Sequence, residues 1–205
     1  FETLLDEDAD PALLALAEGA RLRVLPEGPE AQAQRLRVAK LLTDSGDNQT
    51  AFALFTQCLY FVGADEEIED KLHVLAERLD NWTALAELFR DSASQLTDAE
   101  AAARHEAFVG FALMDRLERG REGAEAMERA LALAPPQVAV LRRLAAFYAS
   151  AEQPAEQARI LEQWMASPVF EAPAVEVKTH LAIVRMDSLH DNEGAFQLLE
   201  TMPAS

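Results

Sequence analysis

The chain has 205 residues, a mass of 22.5 kDa and a net charge of −18, from 18 Lys and Arg against 36 Asp and Glu. At ~100–200 residues per domain this is one domain or two small ones, and with half its residues apolar it has ample material for a core. Ala and Leu dominate while Val, Ile and Thr are scarce, which excludes a β-sandwich, a β-barrel and a doubly wound α/β enzyme; the negative charge is repelled by phosphate and argues against a nucleic-acid binder.

Asp10-Pro11, a cap followed by a first-turn proline, starts a first helix that runs to about Val24, and Pro26-Glu27-Gly28-Pro29 forms a loop. Paired helices follow at about 30–44 and 48–62, 65–79 and 81–94, 98–118 and 121–134, 136–151 and 154–166, and 172–189 and 192–202. The breaks between them are marked by Gly63-Ala64-Asp65, Pro135-Pro136, Ser167-Pro168 and Met202-Pro203. Connections of two to five residues make the partners antiparallel neighbours. Val169–Val177 is the nearest strand candidate, and Pro168 and Pro173 break it.

A repeat underlies this order. Asp47-Asn48-Gln49-Thr50-Ala51-Phe52 is echoed by Asp80-Asn81-Trp82-Thr83-Ala84-Leu85 and by Asp191-Asn192-Glu193-Gly194-Ala195-Phe196. Degenerate copies carry Ala124 and Ala158, so the successive alanines Ala51, Ala84, Ala124, Ala158 and Ala195 lie 33, 40, 34 and 37 residues apart. In each unit an Asp or Asn caps the second helix, with Asn48, Asn81 and Asn192 read as caps. The small alanine lets another helix approach, and a large apolar stripe follows, as in Leu85, Leu88 and Phe89 or Phe196 and Leu199. A helix pair of this size cannot bury its apolar face alone, so stacked units are expected to form an all-α, right-handed solenoid: one domain over 1–205, with units at about 30–64, 65–97, 98–135, 136–168 and 169–203.

Two segments resemble the tetratricopeptide repeat family. Leu141-x2-Leu144-Ala145-x2-Tyr148 fits its first-helix pattern, with Leu for the usual Trp. Phe108-x2-Phe111-Ala112 fits the same positions, with Asp115 in place of the aromatic, and Ala124 and Pro136 then fall at the family's spacing. The units at 65–94 and 172–202 fit loosely, and the segment before residue 30 does not. The resemblance implies protein–protein binding on a concave surface lined by the first helix of each pair. It does not extend to the subgroup that clamps chaperone C-termini, because the asparagines here stand at second-helix starts. First helices carry Arg35, Arg37, Lys40, Arg104, Arg142, Arg143 and Lys178 and the aromatics Phe108, Phe111, Phe147 and Tyr148. From these the candidate partner-binding set is Arg35, Lys40, Arg104, Phe108, Arg142, Arg143, Phe147 and Lys178. Phe111 and Tyr148 are assigned to packing, as are Trp82 and Trp164 on second helices.

Catalytic chemistry has no positive signal. His73, His105, His180 and His190 show no metal spacing and read as solvated or partly packed. Asp65-Glu66-Glu67-Ile68-Glu69-Asp70 is an acidic run at a helix start, where negative charge meets the positive dipole end. Glycine-rich phosphate loops, GxSxG and HExxH are absent. Cys58 lies in an apolar run and reads as a packed thiol; a lone cysteine makes no internal disulfide. No signal peptide or membrane segment is visible, which favours the cytoplasm, while the first residue, Phe1, suggests a processed protein or an excised piece of a longer one. The expectation is a non-catalytic scaffold that binds a protein or peptide segment, without cofactor or metal, without nucleic acid and without membrane insertion. A spacer within a longer repeat protein is the alternative, and a helical enzyme a distant third.

Overall fold

The computed structural model describes residues 10–167 and 174–201. Among the described residues every regular element is helical: eleven α-helices and one π-helical turn. The chain divides into two compact units, Phe1–Thr97 and Asp98–Ser205.

The first unit holds α1 (Pro11–Leu22), α2 (Pro29–Ser45), α3 (Asn48–Val62), α4 (Glu66–Leu79) and α5 (Trp82–Gln95). Each packs against the next in sequence. Their core is built from side chains at helical spacing, with Phe55 and Leu59 of α3, Leu72 and Leu75 of α4, and Leu85 and Phe89 of α5 fully buried. Trp82 closes the start of α5 and meets the His73 ring edge-on at 5.2 Å.

The second unit holds α6 (Ala99–Asp115), α7 (Gly120–Leu133), α8 (Val138–Ser150), α9 (Pro154–Ala166), α10 (Ala174–Ile183), the π-helical turn Val184–Ser188 and α11 (Asn192–Glu200). Here too each helix contacts its sequence neighbour. The core runs through Met127, Leu141, Leu144, Ile160, Leu161 and Leu181. Helices α6 and α7 cross closely because glycines face each other. A Cβ added at Gly123 would lie 2.8 Å from the Gly110 carbonyl oxygen, and one added at Gly110 would lie 3.0 Å from that of Gly123.

Several expectations change on inspection. Aspartates, not asparagines, close the starts of α3 and α11: Asp47 accepts from the Thr50 N–H at 3.1 Å and Asp191 from that of Gly194 at 2.9 Å. Asn48 and Asn192 are the first helical residues, and Asn81 stands at the cap position without a side-chain bond to the backbone. Of the recurring alanines, Ala51, Ala124, Ala158 and Ala195 are buried, whereas Ala84 is half-buried and Ala86 takes the interior place. The stripe of Leu85, Leu88 and Phe89 is interior, but Phe196 and Leu199 are exposed, since α11 packs on α10 and the π-turn by one side only. The helix expected to run on to residue 189 changes to π geometry at Val184. The expected break at Pro168, the helix start at 172 and the Met202-Pro203 break lie outside the described residues.

The acidic run at residues 65–70 is positional. Asp65 accepts from the Ile68 N–H at 3.0 Å while Glu69 accepts from the Asp65 N–H at 3.1 Å, a reciprocal cap at the start of α4.

The tight turns inside the hairpins share a feature that composition concealed. Gly46, Asp80, Glu118, Glu152 and His190 all have positive φ, and each stands one or two residues before the second helix of its pair begins or is capped. They recur 34, 38, 34 and 38 residues apart. A left-handed residue lets the chain reverse after a helix, and four of these five turns use a side chain where glycine would be unstrained. Glu152→Gly is therefore expected to raise stability by about 0.5–1 kcal/mol in a denaturant titration, because the left-handed strain exceeds the added unfolded-state freedom. A loss of stability on that substitution would show the turn to be held by Glu152 itself.

Candidate functional site

The eight predicted partner-binding residues occupy both units, and most are engaged. In α2, Arg35 is buried and its guanidinium reaches Glu27 at 3.1 Å, tying the helix to the preceding loop; Lys40 pairs with Glu67 of α4 at 2.6 Å. That bond holds the exposed Glu67 carboxyl below its ordinary range. In the second unit, Arg143 of α8 pairs with Asp115 at 2.7 Å, and Lys178 of α10 donates to Thr201 Oγ1 at 3.2 Å. Phe147 meets Tyr148 edge-on at 5.5 Å and would collide with any side chain at Gly120. Arg104 and Phe108 of α6 are half-buried. Arg142 is exposed, its guanidinium carbon 5.9 Å from the centre of the Trp164 ring.

Arg142 lines a concavity. A cleft of about 190 Å3 lies between α8, α9 and α10, floored by Ala145, Leu161, Trp164 and Val177 and rimmed by Arg142, Glu176 and His180. Beside it, buried Gln157 is 3.0 Å from His180 Nε2, which orients the imidazole at the rim. The volume suits one apolar side chain, and the rim offers a cation and a carboxylate.

Other polar groups brace the helices. Buried Glu106 of α6 accepts two bonds at 2.9 Å from Arg129 of α7, and that hydrogen bonding raises the guanidinium pKa further. His105, expected to be solvated or partly packed, is fully buried. Tyr148 donates to Glu128 at 2.9 Å, and Arg159 binds the same carboxylate. Burial and then the Glu128 bond push the phenol up to about 12. A folded pKa above the unfolded value of ~10 means that this contribution is complete below pH 10 and is lost as pH rises toward 12. The phenolate absorbance of wild type minus that of Tyr148→Phe is expected to show a transition near 12; a midpoint near 10 would mean that the bond does not form. Burial likewise pushes the Cys58 thiol up, so the thiolate is suppressed, in keeping with a packing role.

A second concavity was missed by the sequence reading. In the first unit a trough of about 720 Å3 runs between α1, α2 and α3, lined by Leu16, Gly19, Val38, Leu42, Thr50 and Leu54 among others. Its α1 wall lies in the segment that matched no repeat pattern, and its residues signal nothing individually; a trough made by three helices becomes visible only once they are placed.

Among the described residues, no three His, Cys, Asp or Glu side chains gather as a metal site, and no helix is long and apolar enough to cross a membrane. No family model matches the chain, and no curated protein matches it. Among solved structures, the chain is similar to the crystal structure of BtubC (BKLC) from P. vanneervenii, at 17% identity over 93% of this chain and 83% of that one, with a TM-score of 0.43.

Proposed function

We propose that this chain is a non-catalytic interaction module: a tetratricopeptide-like, right-handed superhelix of helix hairpins that holds a protein or peptide segment. The observation that carries the reading is the recurrence of left-handed turn residues from Gly46 to His190 at alternating intervals of 34 and 38 residues, one per hairpin. Regular hairpins whose helices, within each unit, contact their sequence neighbours are what stacked repeats produce, and stacked repeats build extended binding surfaces. The excess of carboxylates favours partners with basic flanks and speeds their approach at low salt.

Peptides selected from a random display library on the whole chain test this reading. The expected result is a set of apolar peptides with Lys or Arg flanks whose micromolar affinity, measured by fluorescence anisotropy, weakens as salt rises. Failure to select any saturable binder overturns it. Small-angle scattering tests the superhelix, which requires a radius of gyration above the ~17 Å of a compact chain of this length.

A further inference from the structure

Helix α1 is left half-covered in a way its sequence does not suit. Glu18 and Arg21 are its only charged residues, and both are satisfied by α2: Glu18 accepts from Gln34, and Arg21 lies 3.7 Å from Glu30. The rest of the helix is uncharged, yet Ala15 is its one buried residue, and Leu13 and Leu16 are 66% and 72% exposed. A helix that is apolar nearly all round is normally enclosed. The trough beside it is walled by helix faces at regular spacing: Ala12, Leu16 and Gly19 of α1, Val38 and Leu42 of α2, and Leu54 of α3. Gly19 sits within α1, where glycine is a poorer helix former than Ala, although a Cβ there would meet nothing within 4 Å. The wall therefore holds an open notch that no described residue fills.

The charges lining the trough lie at its two ends. Arg23 follows the last residue of α1, and Asp47 precedes the first residue of α3. With α1, α2 and α3 running alternately up and down, these are opposite ends of the trough. Arg23 makes no side-chain ion pair among the described residues, and the Asp47 carboxylate uses one oxygen on the Thr50 N–H. The α1 wall from Ala12 to Arg23 extends about 16 Å, or three helical turns.

We propose that the trough between α1, α2 and α3 is a docking site for an amphipathic helix of a partner protein, about three turns long. That helix has a stripe of Leu- or Ala-sized side chains, a basic residue that meets Asp47 and an acidic residue that meets Arg23. The proposal rests on the reading of the protein as an interaction module and assigns that role to one surface. Burying a helix face in an apolar groove supplies affinity, and the opposite charges at the ends set the direction.

The probe is a designed helical peptide with a Leu/Ala stripe, Lys at one end and Glu at the other, titrated against the full chain by fluorescence anisotropy. Saturable micromolar binding is expected. Gly19→Leu puts a branched side chain into the notch, where a Cβ meets nothing within 4 Å, so it is expected to weaken binding at least tenfold while the melting temperature holds or rises. Arg23→Glu is expected to weaken binding about fivefold, with recovery when the peptide's Glu is replaced by Lys. A photo-crosslinker at position 20 is expected to capture the peptide. Absence of saturable binding, or equal binding by Gly19→Leu, overturns the proposal. So does crosslinking of position 20 to a second copy or to residues 1–9, either of which would assign the trough to this chain itself. Library-selected peptides that bind regardless of Gly19→Leu would overturn this site and leave the interaction function standing.

Discussion

Phe55→Ala is expected to lower stability by about 3–5 kcal/mol, the cost of removing a large buried aromatic and leaving a cavity. Phe55 is 0% exposed on α3, within the core that α4 and α5 complete with Leu72, Leu75, Leu85 and Phe89. Single domains have about 5–15 kcal/mol in all, so the variant gives up a large part of the total. Urea unfolding is expected to show a markedly lower midpoint. Phe196→Ala is the comparison: this phenylalanine, which follows Ala195 as Phe52 follows Ala51, is 62% exposed, and the expected change is within about 0.5 kcal/mol. Equal losses in the two variants would mean that α11 buries its face against something other than the described helices.

The second large effect is expected at the crossing of α6 and α7. Gly123→Leu places a branched side chain where even a Cβ would lie 2.5 Å from Met114 Cγ and 2.8 Å from the Gly110 carbonyl oxygen. Met114 is flexible and can move; the carbonyl belongs to a helix backbone and cannot move alone. The helices must separate, at a cost of at least the roughly 1–3 kcal/mol typical of overpacking, together with lost contacts around Met127. Gly123→Ala is expected to be destabilising as well, against the usual gain of up to about 1 kcal/mol for Gly→Ala in a helix. Gly19→Ala is expected to have the opposite sign, a gain approaching 1 kcal/mol, because its surroundings are open. Thermal melts of the three variants decide it; a stabilised Gly123→Ala protein would mean that the crossing is looser than described.

Much of the fold is legible in the sequence, and for local reasons. Asp10, Asp47, Asp65, Asp98 and Asp191 each cap a helix by accepting a backbone N–H two or three residues ahead, so helix starts can be read directly. Prolines at residues 11, 29 and 154 fall at first turns, and apolar spacing marks the buried faces of α4 and α5. The turns were less legible. Left-handed φ at Asp80, Glu118, Glu152 and His190 is imposed by the helices on either side, so their residue types do not announce it. The choice of Gly110 and Gly123 as the facing pair was also hidden, since repeat alignment points to alanines.

The candidate site was the least legible part, because a charge pattern does not say whom a cation faces. Arg35, Lys40 and Arg143 stand on first helices at exposed-looking positions, yet each finds a carboxylate on a different element, at distances of 2.6–3.1 Å. Arg142, one residue from Arg143, lies over Trp164 at the rim of a cleft instead. The sequence by itself determined the all-helical class, the helix starts and the absence of catalytic motifs, since propensity, capping and periodicity act within a few residues along the chain. The tertiary structure decided which cations are tied, which glycines touch and where α1 leaves its trough open. Each of these depends on residues brought close by packing between helices, and sequence spacing carries no record of that distance.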